Sequence, residues 1–300
     1  MKNLIVIAGP TAVGKTSVSI ELAQHFQVPV ISADSRQVYK KMDIGTAKPT
    51  PSEMQTVKHY MIDTKHPEEN FNAYQYEWET LKLLQEEIWT VYDKVIVAGG
   101  SGLYIDALCK GIDWMPDIPD EVRKKWKSIL SDKGIEFLQL ELKSRDPEYF
   151  SEVDQFNPSR LMRALEVIEV SGKPFSVFRQ KKSKSRSFNI IKIALELPRE
   201  VLNQRIELRM DQMIENGLFT EAESLCPYRD QQALQTVGYR EIFDFLEGKY
   251  DKSEAIRLLK RNSRRYAKRQ MTWFKKDQEY QWFTPDQVKE IILYIERHLK

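Results

Sequence analysis

The stretch LIVIAGPTAVGKT, residues 4–16, decides the fold. Its first five residues form an uninterrupted apolar run, which predicts a β-strand buried on both faces. Residues 9–16 then match the pattern G-x-x-x-x-G-K-[ST] at every position, and helical spacing of apolar residues follows over 17–26. A strand, a glycine-rich turn and a helix are the context in which this pattern closes around phosphate. The sequence therefore predicts a phosphate-binding loop.

Each residue type in the loop has a physical task. The glycines allow backbone N–H groups to approach phosphate oxygens, and the start of the helix adds its partial positive charge. Lys15 supplies a positive charge for the outer phosphate, and Thr16 offers a hydroxyl to Mg²⁺. The residues expected to bind a di- or triphosphate are Gly9, Pro10, Thr11, Ala12, Val13, Gly14, Lys15 and Thr16.

Further buried apolar runs occur at 28–32, 94–98 and 190–197, with helical patterns between them. Buried strands that alternate with helices indicate an α/β fold. We therefore expect a P-loop NTPase-like parallel sheet flanked by helices. An Asp usually ends a buried strand in kinases and nucleotidases of this kind, but the run at 94–98 ends in glycine.

The region 113–189 has a different texture. It carries amphipathic helical segments at 121–130, 134–143 and 160–170, followed by a basic polar tract at 179–186. We expect that tract to be a mobile loop. The chain is thus predicted to form a catalytic core from 1–112 and 190–300, interrupted by a helical insertion at 113–189.

Composition adds few constraints. The 300 residues include 46 Lys and Arg against 44 Asp and Glu, so a net charge of +2 indicates no particular partner. The two cysteines, Cys109 and Cys226, form neither a disulfide framework nor a metal-ligand pattern, which fits a reduced, cytoplasmic setting. No apolar stretch approaches the ~20 residues of a membrane helix, so no membrane association is expected.

Two polar features follow predicted strands. Asp34 is expected at the carboxyl end of a strand neighbouring the first, where it would face the same crevice as the phosphates. A carboxylate beside bound phosphate is repelled by its negative charge, so a specific role for Asp34 is expected. The spacing fits two roles, a general base and a helix N-cap. The turn Gly99-Gly100-Ser101-Gly102 permits close backbone approach and offers the Ser101 hydroxyl, although a plain strand-to-helix turn also explains it.

Two helices of the C-terminal half carry basic side chains. In the helix predicted over 201–216, Arg209 projects about 60° from the centre of the apolar stripe, with Arg205 one turn earlier. These arginines either extend to solvent or reach a leaving pyrophosphate. The helix predicted over 253–275 has a face of one charge sign, which indicates RNA or DNA unless the face is merely solvated. That face consists of Arg257, Lys260, Arg261, Arg264, Arg265, Lys268 and Arg269.

Taken together, these segments resemble the tRNA dimethylallyltransferase family, also called tRNA isopentenyltransferases. The similarity runs from end to end in the family's order. The segments that carry it are GPTAVGKT (9–16), ADSRQVY (33–39), DIGTAKP (43–49), HYMID (59–63), AGGSGLYI (98–105), DPEYF (146–150), NPSRLMRALEV (157–167), RIELRMDQMIENGL (205–218), TVGYREI (236–242) and YAKRQMTWFKKD (266–277).

The resemblance implies a reaction. The loop would hold dimethylallyl diphosphate, and the N6 amine of the adenine immediately 3′ of the tRNA anticodon would attack its allylic carbon. Asp34 would accept or position the N6 proton. Lys15, Thr16 with Mg²⁺, and Arg209 would stabilise the leaving pyrophosphate. Helical geometry leaves open whether Arg205 or Arg209 contacts the pyrophosphate, and Arg205 is counted among the expected diphosphate-binding residues. Thr11 and Ser101 would lie close to the reacting groups.

The resemblance also implies a surface for the tRNA anticodon stem-loop. Ser101 stands where the family commonly has Thr, Asn157-Pro158 stands where an acid is frequent, and no zinc finger follows the basic helix, which indicates the bacterial form. We expect the protein to be a monomer. Two alternative functions are a nucleotide kinase-like phosphotransferase and a non-catalytic RNA-binding protein. The expected tRNA contacts are Asp34, Ser35, Arg36, Gln37, Ser101, Arg123, Ser159, Arg160, Leu161, Met162, Arg163, Gln235, Gly238, Tyr239, Arg240, Arg261, Arg264, Arg265 and Lys268.

Overall fold

The computed structural model describes residues 1–179 and 183–300, and the chain divides into two compact units. The first unit comprises 1–110 and 185–300, and the second comprises 111–184. The expected insertion of 113–189 therefore ends too late, because Arg186 is anchored in the first unit. Its guanidinium donates to the carbonyls of Ala107 and Leu108, each at 2.8 Å, and to the Glu77 carboxylate at 2.7 Å.

The first unit is built on a parallel sheet of six strands in the described residues, in the order β3-β2-β4-β1-β5-β6. The predicted fold class is confirmed. β3 and β6 are edge strands that the sequence did not predict, because two or three residues are too short to show a period. The strands are β1 (Asn3–Ala8), β2 (Val30–Ser32), β3 (His59–Tyr60), β4 (Lys94–Gly99), β5 (Asn189–Leu195) and β6 (Gln281–Phe283).

Helices cover the sheet of the first unit, and every residue of β1 is buried. The predicted helix after the phosphate loop, the arginine-bearing helix and the basic helix are all present. The helices of this unit are α1 (Lys15–Phe26), α2 (Pro51–Thr56), α3 (Ala73–Leu83) with a π-helical turn at Leu84–Ile88, α4 (Trp89–Val91), α5 (Gly102–Lys110), α10 (Arg199–Glu215), α11 (Leu218–Ser224), α12 (Arg240–Leu246), α13 (Lys252–Phe274) and α14 (Val288–His298).

The second unit is helical and has a core of its own around Trp126, Leu138, Leu142 and Leu161. Its first helical run is interrupted at Gly134, whose φ of +76° separates the two segments that the sequence predicted. Three residues of the predicted loop at 179–186 lie outside the described residues, namely Gln180, Lys181 and Lys182. The helices are α6 (Asp120–Arg145), α7 (Pro147–Glu152), α8 (Pro158–Ser171) and α9 (Phe175–Phe178).

The strand order corrects one expectation about the site. β4 lies between β1 and β2, so Asp34 does not follow a strand next to β1. Ala8 at the end of β1 pairs with Gly99, and Ser32 at the end of β2 pairs with Ala98. The glycine turn after β4 therefore separates the phosphate loop from Asp34. No helix in the described ranges is both long enough and apolar enough to cross a lipid bilayer.

Gly99→Ala is expected to destabilise the protein by about 1–3 kcal/mol, because overpacking forces a backbone shift. A Cβ at this position would lie 2.1 Å from the carbonyl oxygen of Ala33. Urea unfolding measures the loss. Gly172→Ala is the control, since its Cβ would meet no atom within 4 Å. This variant therefore measures only the strain of placing alanine at a φ of +67°. A loss at Gly99 no larger than the loss at Gly172 would contradict the close approach.

Candidate active site

A cavity of about 580 Å³ lies at the carboxyl ends of β1, β2 and β4. It brings together residues that the sequence predicted from separate motifs, and they come from three loops, from the start of α1 and from α10. This meeting at the sheet edge is what a parallel α/β fold produces, because the ligand crevice lies beyond the carboxyl ends of the strands. The predicted site residues that line it are Thr11, Ala12, Gly14, Lys15, Thr16, Asp34, Arg36, Gln37, Arg205, Arg209 and Gly238.

The phosphate loop connects β1 to α1 as predicted. The Lys15 ammonium donates to the carbonyl of Pro10 at 2.7 Å, so the loop curls around its own lysine. Gly9, Pro10 and Val13 are buried, and the Val13 side chain packs into the core below the loop. These three residues can therefore meet a ligand through backbone groups only, whereas Thr11, Lys15 and Thr16 line the cavity.

Positive charge is concentrated beside this loop. Burial, together with the nearby charge of Arg209, lowers the pKa of Lys15 to about 7, although the Asp34 carboxylate opposes the shift. Burial likewise lowers the pKa of Arg209, which Asp34 raises and Arg205 lowers. A guanidinium nitrogen of Arg209 lies 3.5 Å from the Thr11 hydroxyl. Crowded, partly desolvated cations of this kind favour an anionic ligand.

Binding of pyrophosphate at about pH 8 is expected to take up protons, since a bound anion raises the pKa of a nearby ammonium group. In the free protein the pKa of Lys15 is about 7, so most of this group is neutral at that pH. Affinity should therefore fall as the pH rises above 7. Titration calorimetry without Mg²⁺, in two buffers of different ionisation enthalpy, measures the uptake. Equal heats in the two buffers would contradict it, and Lys15→Met should abolish the difference.

Asp34 follows β2 and caps a turn, not a helix. Its Oδ1 accepts from the backbone N–H of Arg36 at 2.8 Å and of Gln37 at 3.4 Å, and residues 35–38 form a turn. The helix N-cap that the spacing allowed is therefore wrong. The other carboxylate oxygen accepts no hydrogen bond from any described residue. One oxygen orients the side chain, which leaves the second available in the cavity for a proton.

The glycine turn after β4 supports the Asp34 turn. The Ser101 hydroxyl accepts from the backbone N–H of Ser35 at 2.9 Å and donates to the Ser35 hydroxyl at 3.2 Å. Gly99 and Gly100 line the cavity, while Ser101 does not. Ser101 therefore supports the turn at Ser35, and its expected position close to the reacting groups stays a prediction.

A family described as IPP transferase matches residues 37–277. The chain belongs to the IPP transferase family. A tRNA dimethylallyltransferase of Cytophaga hutchinsonii is 49% identical over 299 residues, covering 100% of this chain and 98% of the relative.

Solved structures of IPP transferases agree with this assignment. The tRNA isopentenylpyrophosphate transferase of Bacillus halodurans aligns with a TM-score of 0.73 and 37% identity, covering 99% of this chain and 97% of that one. A eukaryotic dimethylallyltransferase acting on tRNA aligns with a TM-score of 0.72 and 27% identity, covering 100% of this chain and 73% of that one. The nucleotide kinase alternative is not favoured, and β4 ends in Gly99 without the Asp that it would require.

In this IPP transferase, one wall of the cavity is held in place by Glu221, a residue that the sequence did not predict to be part of the site. The Glu221 carboxylate accepts from the backbone N–H groups of Asp43, Ile44 and Gly45 at 2.7–3.0 Å, and from the Tyr239 hydroxyl at 2.7 Å. The held loop continues into Thr46 to Pro49, which line the cavity. No local pattern could reveal this contact, since Glu221 is 176–178 residues from the loop.

Two of the residues predicted to contact RNA have side chains that are buried in the interior of this transferase. Tyr239 is fully buried and donates to Glu221, and Leu161 is fully buried in the core of the second unit. Neither side chain can touch RNA, and the motifs do not show this because they mix core and surface positions. Gly238 is also buried, with its N–H bound to Glu241 at 3.0 Å, although it lines the cavity.

Other predicted RNA contacts remain open to solvent or partly so. In the first unit, Gln235, Arg240, Arg265 and Lys268 are exposed, while Ser35, Arg36, Gln37 and Arg261 are half-buried. Arg36 also donates to the carbonyl of Gln232 at 2.9 Å. In the second unit, Ser159 and Arg160 are exposed, and Arg123, Met162 and Arg163 are half-buried.

The basic face of α13 is less uniform than the sequence indicated. Arg257 pairs with Glu254 at 2.6 Å, Lys260 pairs with Asp211 at 2.7 Å, and Arg264 pairs with Glu207. Two of these acids belong to α10, so the pattern of α13 alone could not show them. The four remaining cations make no ion pair with the described part of the chain. They are Arg261, Arg265, Lys268 and Arg269.

Few other side chains near the predicted Mg²⁺ ligand Thr16 could coordinate a metal ion. Within residues 1–179 and 183–300 there is no group of three or more His, Cys, Asp or Glu side chains that could hold a metal ion. Thr16 and Asp34 nevertheless line the same cavity. This small donor set fits Mg²⁺, which keeps several waters and takes phosphate oxygens of a substrate as further ligands. The metal stays a prediction.

Proposed function

We propose that the protein transfers a dimethylallyl group from dimethylallyl diphosphate to N6 of the adenine immediately 3′ of the anticodon in tRNA, with release of pyrophosphate. One observation carries the proposal. The cationic phosphate loop and the available carboxylate oxygen of Asp34 line a single cavity. The relatives named tRNA dimethylallyltransferase support the donor and the acceptor.

The donor end of the cavity accounts for the leaving group. Lys15, Arg209 and Arg205 surround the place where a diphosphate would lie against the loop. An allylic diphosphate ionises readily once its leaving charge is neutralised, so fixed cations that act on the pyrophosphate lower the barrier. Mg²⁺ at Thr16 would add positive charge to the same oxygens.

The acceptor end accounts for the nucleophile. The N6 amine of adenine is weakly nucleophilic because its lone pair is delocalised into the ring. A base that removes a proton as the new C–N bond forms therefore assists attack. Asp34 is suited to this, since Oδ1 is fixed by two backbone N–H groups while the second oxygen stays available. The adenine must leave the anticodon stack to reach it.

In the first unit, the proposed RNA contacts are the turn after Asp34 and the exposed cations of α13, and the second unit has proposed RNA contacts of its own. Single-stranded anticodon bases are read by side chains of such surfaces, and phosphates are bound by lysine and arginine. The RNA phosphates are bound by Arg265, Lys268 and Arg240. The anticodon loop is contacted by Ser159 and Arg160 of the second unit. We also propose that the protein is a monomer and acts in the cytoplasm.

The direct test combines the protein, unmodified tRNA, Mg²⁺ and labelled dimethylallyl diphosphate. We expect label in the RNA, at the adenine 3′ of the anticodon, and inorganic pyrophosphate in solution. Dimethylallyl diphosphate should raise the melting temperature more than ATP, because only a ligand of the folded state stabilises it. Turnover of ATP without incorporation of label into RNA would refute the proposal.

Replacing Arg265 and Lys268 by glutamine is expected to weaken tRNA binding and flatten its salt dependence. Each lost phosphate contact lowers the slope of log Kd against log salt by about 0.7–0.9. Binding titrations over a range of salt concentrations measure this slope. Lys289→Gln removes an equal charge from an exposed position on α14 and is the control. An equal change in the slope for that control would contradict an RNA contact on α13.

A further inference from the structure

We infer that Gln270 is a positioning residue that sets the spacing between the donor loop and the acceptor turn of the proposed prenyl transfer. The inference rests on the proposed function. Gln270 lies on the buried face of α13, the helix that carries the basic surface, with 7% of its area exposed. It does not belong to any predicted group of catalytic or binding residues.

Both ends of the Gln270 amide are engaged by backbone groups of two different loops. Its Oε1 accepts from the N–H of Thr11 in the phosphate loop at 2.9 Å. Its Nε2 donates to the carbonyl of Gly100, in the turn after β4, at 2.9 Å. Since an amide side chain has one acceptor end and one donor end, this pair of contacts fixes its orientation. Gln270 therefore ties the end of β1 to the end of β4.

The glycine turn continues the connection to Asp34. A Cβ on Gly100 would lie 2.3 Å from the Gln270 nitrogen, and a Cβ on Gly99 would lie 2.1 Å from the Ala33 oxygen. The Gly99-Gly100 backbone is thus pressed between Gln270 on one side and the residue before Asp34 on the other. Ser101, next in the turn, holds the N–H of Ser35. Only glycine leaves room for these contacts.

The arrangement gives the two halves of the reaction a fixed separation. Thr11 belongs to the loop that would hold the diphosphate, and Asp34 belongs to the turn that would meet the adenine amine. Because the reacting atoms must start about 3–3.5 Å apart, an error of about 1 Å in their placement can cost about 100-fold in rate. Gln270 lines the cavity, and its inferred role is exerted through Thr11 and Gly100, whose backbone groups its amide binds.

The test uses Gln270→Met, which keeps the length of the side chain and removes both hydrogen bonds. Turnover number and KM for tRNA are measured with labelled dimethylallyl diphosphate, together with the melting temperature and the hydrogen exchange of the Thr11 amide. We expect kcat to fall by about 100-fold with KM for tRNA unchanged. We also expect the Thr11 amide to exchange faster. Thr272→Ala, on the exposed side of the same helix, is the control and should change none of these values.

Gly100→Ala reaches the same contact from its other side and leaves Gln270 in place, so it decides the question if Gln270→Met does not fold. We expect the double variant to be no slower than the slower single variant, because residues that act through one contact are not additive. An unchanged kcat in either single variant, or a rise in KM for tRNA that accounts for the whole loss, would overturn the inference. Absence of transfer by the unmodified protein would instead refute the proposed function.

Discussion

Asp34→Asn is expected to lower the rate of prenyl transfer by about 10²–10⁴-fold, the usual contribution of a general base. The amide oxygen can still accept from the N–H groups of Arg36 and Gln37, which the carboxylate binds in the native turn. The shape of the turn is therefore kept, while the group that accepts a proton is lost. Single-turnover incorporation of label into tRNA measures the rate, and filter binding measures the affinity for tRNA.

Affinity for tRNA should remain close to that of the unmodified protein. Asp93→Asn is the matched control, because Asp93 is an exposed carboxylate beside the first residue of β4, at the opposite edge of the sheet from the cavity. Survival of full activity in Asp34→Asn would remove the base from the mechanism. A loss of tRNA affinity equal to the loss of rate would assign Asp34 to RNA binding alone.

Arg209→Gln is expected to cost about 10²–10³-fold in kcat, as does the removal of one preorganised group that stabilises developing negative charge. The Arg209 guanidinium is half-buried at the end of the Thr11 side chain, and burial lowers its pKa. A desolvated cation beside the diphosphate acts more strongly than an exposed one, because the local dielectric constant is lower.

Arg205→Gln is the matched comparison. Arg205 lies one turn earlier on α10 and also lines the cavity, but it is exposed to solvent. Its replacement should cost less, and mainly in the affinity for dimethylallyl diphosphate. Steady-state kinetics with varied donor separates the two effects. A larger loss of kcat for Arg205→Gln than for Arg209→Gln would reverse the assignment of the two arginines.

The phosphate loop shows which part of the site was predictable. Its ligand groups are neighbours in sequence, and a buried strand before it with a helix after it leaves one local conformation for the motif. The sequence also placed Asp34 after a buried strand, but it left open a helix N-cap, whereas Oδ1 binds N–H groups two and three residues further on in a turn. The resemblance carried by the other motifs then gave the family, which the comparisons confirm.

The errors have a common cause. Tyr239 and Leu161 lie in motifs that the resemblance assigned to RNA, yet both are fully buried. A motif records that a position is restricted but does not say whether by packing or by a ligand. The basic face of α13 likewise appeared unpaired, because Asp211 and Glu207 come from α10, 40 or more residues earlier in the chain.

The sequence by itself determined the local elements of this protein: the buried strands, the phosphate loop with Lys15 and Thr16, the position of Asp34 after a strand and the helices with their charged faces. Only the tertiary structure decided the strand order that places β4 between β1 and β2, and with it the contacts of Gln270 and Glu221. The physical reason is range. Hydrogen bonds and periodicity within about 20 residues leave a pattern along the chain. Gln270 meets Thr11 and Gly100 across 259 and 170 residues, through backbone groups that every residue type provides.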